Sequence, residues 1–82
     1  MATYYFHLRN GTDVLLDPEG RQLESTNVPG AALSEARSIM AADCRSGEVD
    51  LNQNIEVEDS AGKLVHRISF ADAVSIVRLH AG

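Results

Sequence analysis

The longest helical repeat of apolar side chains in the chain runs from Pro29 to Cys44. Its apolar residues recur at steps of three or four positions, which places them along one side of an α-helix. They are Leu33, Ala36, Met40 and Cys44, flanked by Ala32 and Ile39. A helix with one apolar side is not stable alone in water, so this one must pack on another element. The only candidates are the strand-like segments before and after it.

The segment before the helix predicts a β-hairpin. Thr3 to Arg9 alternates apolar and polar side chains, Asn10-Gly11 favours a tight turn, and Val14 to Leu16 suits the returning strand. A two-residue Asn10-Gly11 loop would place Asp13 opposite Leu8 on the apolar side. We therefore expect a three-residue loop of Asn10, Gly11 and Thr12. This choice pairs Arg9 with Asp13, Leu8 with Val14 and Phe6 with Leu16.

The segment after the helix predicts a second hairpin. Asn54 to Glu58 alternates, with Ile55 and Val57 inward, and Asp59 to Gly62 suits a four-residue loop. The expected pairs across this loop are Val57 with Leu64, Ile55 with His66, Glu58 with Lys63 and Asn54 with Arg67. This register turns His66 toward the helix.

The segments between and after the hairpins carry turn and helix-end signals. Asp17 to Gly20 fits a type I turn, and Arg21 to Leu23 either extends or rejoins the edge of the sheet. Ser25 to Asn27 offers caps for the main helix, and Gly47 suits its end. Ser69 and Asp72 have the spacing of a capping box. A short second helix is expected from there to Gly82, with Ala73, Val74, Val77 and Leu79 as its apolar residues.

Together these elements predict one α+β domain over residues 1–82, in the order β-β-α-β-β-α. We expect a two-layer sandwich in which a mainly antiparallel four-stranded sheet packs on one amphipathic helix, with a short C-terminal helix. The side of the sheet under the helix is expected to consist of Tyr4, Phe6, Leu8, Ile55, Val57, Leu64 and Ile68.

Several of these motifs resemble a family of short proteobacterial domains of unknown function. The likeness covers the opening Tyr4 to Gly11, the Asp17-x-x-Gly20 turn, the alanine-rich helix, Ile55 to Val57, the Asp59-x-x-Gly62 turn and the closing Phe70 to Ala73. The resemblance implies no activity and no catalytic residues. A weaker likeness is to HicB-type antitoxins, whose partial RNase H-like domain also begins with an aromatic strand. The Phe-x-Asp-Leu-Pro-Gly stretch typical of those antitoxins is missing here.

The composition limits the classes of function. A net charge of −5 without any basic run disfavours binding to nucleic acid. No apolar run reaches membrane-spanning length, and no export signal precedes the first strand, so we expect a cytoplasmic protein. The single cysteine, Cys44, cannot form an internal disulfide and is expected to be a core residue in a reducing compartment.

No residue pattern in the chain is typical of a catalytic, cofactor or metal site. His7, His66 and His80 lack the spacing of metal ligands, and no phosphate-binding glycine motif is present. Cys44 lies at the end of the helix where the dipole disfavours a thiolate. We therefore expect neither an enzyme nor a cofactor-binding protein.

The side of the sheet away from the helix is the candidate interaction face. Its expected members combine apolar bodies with polar tips, a composition common at protein interfaces. They are Tyr5, His7, Leu15, Val65 and Arg67. The favoured hypothesis is a non-enzymatic interaction module that acts as a homodimer or an adaptor through this face or a strand edge. The alternatives are an antitoxin-like regulator of a small protein partner and, least favoured, a ligand-binding protein or enzyme using Tyr5, His7 and Arg9.

Overall fold

A computed structural model of the protein describes residues 1–77. It is an α+β domain in which a mainly antiparallel sheet packs against one long helix and a short C-terminal helix, so the predicted fold class is confirmed. The strands are β1 (Ala2–Asn10), β2 (Asp13–Leu15), β3 (Arg21–Leu23), β4 (Gln53–Asp59) and β5 (Leu64–Ser69). The helices are α1 (Val28–Ser46), preceded by a 3₁₀ turn at Ser25–Asn27, and α2 (Phe70–Ala73).

The sheet has five strands rather than the expected four, and the element order is β-β-β-α-β-β-α, because Arg21 to Leu23 rejoins the edge of the sheet. Two short strands share the outer edge of β1: β2 pairs with the end of β1 and β3 with its beginning. On the other side β1 pairs with β4 and β4 with β5, giving the order β2-β1-β4-β5 with β3 beside β1. The connection between β2 and β3 therefore lies opposite the middle of β1.

The expected register of the first hairpin is wrong by one residue. The pairs are Asn10 with Asp13, Arg9 with Val14 and Leu8 with Leu15, so the loop is Gly11-Thr12, with Gly11 in the left-handed region at φ 62°. This two-residue loop already keeps Asp13 away from Leu8, which was the reason for expecting a longer one. Since directly opposite residues point to the same side of a sheet, Leu15 lies with Leu8 on the side of α1.

The expected register of the second hairpin is wrong by two residues from Asn54 to Val57 and by one at Glu58. His66 lies opposite Val57 and Ile68 opposite Ile55, and Val65 is an extra residue that bulges β5. A shift of two preserves the alternation, so His66 and Ile68 face α1 as expected. Because the bulge inserts one extra residue, the residue of β5 before it points to the opposite side of the sheet from the one expected. Leu64 therefore lies opposite Glu58, away from α1, contrary to expectation.

The core lies between α1 and the sheet. The buried residues of α1 are Val28, Ala32, Ala36 and Met40, which recur at every fourth position. Since 3.6 residues make a turn, each such step rotates the stripe by about 40°. By Cys44 the stripe has turned off the sheet, so Cys44 is exposed rather than a core residue. The helix ends at Gly47 as predicted, in the left-handed region at φ 89°.

The C-terminal helix is shorter than expected. Ser69 is the N-cap, as expected, and its side chain accepts the backbone N–H of Ala71 at 3.2 Å rather than that of Asp72. The helix ends at Ala73, however, and Val74 is extended at φ −138°, ψ 158°. The next residues are Ser75, Ile76 and Val77, which have modest helix propensity and offer no continuous buried stripe. Leu79 and Gly82, expected in this helix, lie outside the described residues.

Candidate functional site

The structure separates the five residues of the candidate interaction face. Tyr5, His7 and Arg67 do lie together on the side of the sheet away from α1. Leu15 lies on the opposite side because of the corrected hairpin register, and Val65 lies beside Tyr4 and Val28 near the start of α1. We call the side away from α1 the open face. Its central residues are Tyr5, His7, Arg9, Glu56, Glu58, Leu64 and Arg67.

An ion-pair cluster occupies the middle of the open face. Glu56 accepts from Arg9 Nε at 2.8 Å and from Arg67 Nη2 at 2.9 Å, so each carboxylate oxygen has a guanidinium partner. The Glu56 residue is only 8% exposed. The hydrogen bond from Arg9 lowers the pKa of Glu56, burial opposes this effect, and Arg67 lowers the pKa further. The carboxylate is therefore held in its charged form beneath two long side chains.

His7 is fixed by a partner at each ring nitrogen. Its Nδ1 accepts the backbone N–H of Asp17 at 3.0 Å, and its Nε2 lies 3.3 Å from Glu58 Oε1. The proton of the neutral ring therefore lies on Nε2. The ring stacks beside Tyr5, with the centroids 6.5 Å apart and an interplanar angle of 11°. His7 thus connects the open face to the loop between β2 and β3.

Asp17 fills the gap that β2 and β3 leave along β1. Its Oδ2 accepts the N–H of Phe6 at 3.1 Å, and its Oδ1 accepts those of Glu19 at 3.2 Å and Gly20 at 3.1 Å. Partial burial acts to raise the pKa of Asp17, but these three hydrogen bonds and the charge of Arg21 outweigh it and lower the pKa. The sequence indicated a turn here. It did not show that the turn closes on the middle of another strand.

A cleft opens between β2 and α1 on the helix side of the sheet. Two adjacent leucines form its outer wall, Leu15 at 70% and Leu16 at 66% exposure. The volume is about 260 Å³. We call it the β2 cleft; it is lined by Phe6, Leu8, Leu15, Leu16, Asp17, Pro18, Arg21, Glu35, Ile39 and Ile55. Sequence reasoning missed it because the expected register placed Val14, not Leu15, beside Leu8.

One end of the β2 cleft is polar. The Arg21 guanidinium lies over the Phe6 ring, 4.3 Å from its centroid, and donates to Glu35 Oε2 at 2.8 Å. The Asp17 carboxylate also lines the cleft. The cleft thus combines an apolar floor, two exposed leucines and a charged end.

The other residues considered from the sequence form no site of their own. His66 is half-buried on the helix side, Cys44 is exposed at the end of α1, and His80 lies outside the described residues. Within residues 1–77, no group of three or more His, Cys, Asp or Glu side chains is arranged to hold a metal ion. In the same range, no helix is both long and apolar enough to cross a membrane.

The fold and these contacts define a small α+β domain with a helix-covered sheet, a charged open face and an apolar cleft at one edge. Residues 3–71 match the model of a family described as Domain of unknown function (DUF6894). The chain belongs to this family, and the family resemblance seen in the sequence is confirmed. No curated protein and no solved structure matches the chain.

Proposed function

We propose that the protein is a small non-enzymatic interaction module of the bacterial cytoplasm that forms a homodimer through the β2 edge of its sheet. The observation that carries this proposal is the pair Leu15 and Leu16, about two-thirds exposed beside a cleft whose floor is the core. Side chains this apolar, placed together at a strand edge, are typical of surfaces that another chain covers. Full burial of a leucine side chain contributes roughly 1.5–3 kcal/mol. Burying the exposed two-thirds of Leu15 and Leu16 would therefore contribute roughly 2–4 kcal/mol per copy to dimer formation.

The β2 edge is a better interface than the open face. The open face carries Glu56 between Arg9 and Arg67, and its charges already have internal partners. Covering this cluster with another chain would remove the guanidinium groups from water without offering them new partners. The desolvation of paired charges commonly costs as much as the pairing contributes. At the β2 cleft, by contrast, the exposed side chains of Leu15 and Leu16 are apolar, and the charges of Asp17, Arg21 and Glu35 are confined to one end.

The contacts of His7 support a non-enzymatic role. A general base needs a nitrogen lone pair that can reach a substrate. The Nδ1 lone pair of His7 is used by the N–H of Asp17, and the Nε2 proton faces Glu58. Two of the three residues expected for an enzyme or ligand site, His7 and Arg9, thus already have partners within the fold, which supports a non-enzymatic role. The antitoxin resemblance stays a hypothesis that no contact within residues 1–77 specifically favours.

The proposal predicts a concentration-dependent dimer of the wild-type chain in sedimentation equilibrium or in light scattering after size exclusion. Leu16→Asp should weaken this dimer at least tenfold, because it places a charge at the covered edge. Leu64→Asp is the matched control, since Leu64 is also exposed, at 47%, but lies on the open face. Far-UV circular dichroism verifies that both variants fold.

Two results would contradict the proposal. One is a wild-type chain that stays monomeric at millimolar concentration. The other is a dimer that Leu16→Asp leaves intact and that Tyr5→Ala or Leu64→Asp dissociates, which would move the interface to the open face.

A further inference from the structure

We propose that the β2 cleft of one copy binds the C-terminal segment around Ile76 and Val77 of a second copy. This inference rests on the proposed self-association and names the segment that covers the cleft. The same contact made in both directions closes a two-fold dimer, because each copy offers one cleft and one segment.

The C-terminal segment has the properties of a ligand for an apolar cleft. Ile76 is 73% and Val77 78% exposed, and these are the most exposed β-branched apolar residues of the described chain. They follow Val74, whose backbone is extended, so the helix has ended before the segment begins. An extended chain presents successive side chains on opposite sides and can pack on an edge and a cleft at once.

The segment cannot reach the cleft of its own chain at this point of the fold. The carbonyl of Ala73 accepts Arg37 Nε at 2.9 Å, which fixes the start of the segment to α1. Ile76 then lines a cleft together with Arg37, Met40 and Cys44 of α1. The β2 cleft contacts α1 through Glu35 and Ile39 instead. At 100° per residue these two sets lie on opposite flanks of the helix, so Ile76 fits the cleft only of another copy.

The charges around the cleft and the segment are complementary. The carboxylates of Asp17 and Glu35 line the cleft with the guanidinium of Arg21. Two further acidic residues, Asp13 and Glu19, lie close to the lining residues in the sequence. The residues that follow Val77 in the sequence are Arg78, Leu79 and His80, an apolar and basic stretch in a chain with a net charge of −5. Opposite charges at the rim of an interface favour the correct pairing and accelerate association.

A complementation experiment tests the proposal with two full-length variants. The cleft variant is Leu16→Asp, and the segment variant is the double change Ile76→Asp with Val77→Asp. Each alone should weaken dimer formation at least tenfold. Mixed in equal amounts they should form a heterodimer, because the intact cleft of the segment variant can bind the intact segment of the cleft variant. This heterodimer should be weaker than the wild-type dimer and tighter than either homodimer.

The charge argument gives an independent readout. Arg78→Glu should weaken the wild-type dimer by roughly threefold to tenfold at low salt, and the difference should shrink as ionic strength rises. The isosteric variant Ser75→Ala, in the same segment, is the control and should leave the dimer unchanged.

The outcomes separate this inference from the proposed function. If Leu16→Asp dissociates the dimer while the segment variant stays dimeric, the β2 edge is the interface but another part of the partner covers it, and the present inference is wrong. If both variants are monomeric and the mixture does not associate, the two surfaces do not bind each other, and the inference is again overturned. A monomeric wild-type chain overturns both proposals.

Discussion

Replacing Asp17 is expected to weaken the fold more than its position in an exposed turn would indicate. The carboxylate accepts three backbone N–H groups, and one of them belongs to Phe6 in the middle of β1. A hydrogen bond to a charged group contributes roughly 1.5–3 kcal/mol when its loss leaves the donor unpaired. After Asp17→Ala, water can reach the N–H groups of Glu19 and Gly20, whereas that of Phe6 is screened by the turn. We therefore expect the free energy of unfolding to fall by roughly 2–4 kcal/mol.

That loss is large for a domain of this size. At about 0.05–0.15 kcal/mol per residue, a chain of 82 residues has an unfolding free energy of roughly 4–12 kcal/mol. Urea denaturation followed by circular dichroism measures the change directly. Asp13→Ala, in the neighbouring exposed strand β2, is the control and should cost less than about 0.5 kcal/mol. If the two substitutions lower the unfolding free energy equally, the hydrogen bond from Asp17 to β1 does not stabilise the fold.

The charge of Asp17 also gives a pH dependence with a definite sign. Because the pKa of Asp17 in the folded chain is below its ordinary value of 3.8, the folded state holds its proton less tightly than the unfolded state does. Its contribution to stability is therefore complete above that ordinary value and is lost as the pH falls through the folded-state pKa. Asp17→Asn removes this contribution and should flatten the fall of the unfolding free energy in acid. An unchanged acid slope would refute the reasoning.

Three further substitutions test other contacts. Gly20→Ala should lower the free energy of unfolding by roughly 1–3 kcal/mol more than Gly11→Ala does. Both glycines have positive φ, but of the two only Gly20 has side-chain atoms 2.9 Å from the position of an added Cβ. Comparing the thermal unfolding of the two variants therefore isolates the effect of that contact. Glu56→Gln should lower the unfolding free energy at pH 7 by roughly 1–3 kcal/mol. It should also reduce the fall of the unfolding free energy in acid, since the pKa of Glu56 is lowered in the fold. A variant as stable as wild type in urea would show that the ion pairs of Glu56 do not stabilise the fold. Phe70→Ala empties a fully buried position and should cost roughly 3–5 kcal/mol, whereas Phe70→Leu should retain most of the stability in the same urea titration.

The periodicity of apolar residues predicted the helices and strands of this fold, because burying one side of each element produces that periodicity directly. The alternation in β1 and β4 and the apolar stripe of α1 each follow from one side facing the core, so Tyr4, Phe6, Ile55 and Val57 are buried as expected. Pairing is a different matter. A slip of two residues leaves every side chain on its expected side, which is why His66 faces α1 although its partner is Val57 and not Ile55. Alternation alone cannot detect such a slip.

Contacts between residues far apart in the chain could not be predicted from the sequence for a different reason. Asp17 and Gly20 read correctly as a turn, because turn chemistry is local. That the Asp17 carboxylate completes the hydrogen bonds of β1 depends on β2 and β3 sharing one edge, with a gap between them opposite Phe6. The same gap explains why His7, expected on an exposed face, is only 8% exposed: the turn lies against its ring. Only the folded arrangement of three segments reveals either contact.

The location of the proposed site depends on a shift of one residue in the register of the first hairpin. With Val14 opposite Leu8, Leu15 would join Tyr5 and His7 on the open face, and the interaction surface would be a broad mixed one. With Leu15 opposite Leu8, the leucine pair moves to the rim of a cleft, and the open face keeps mainly charged groups that already have partners. A loop variant that lengthens Gly11-Thr12 by one residue should therefore do more than destabilise β2. It should remove the leucines from the cleft and, if the β2 edge is the dimer interface, dissociate the dimer while leaving the Arg9–Glu56 pair in place.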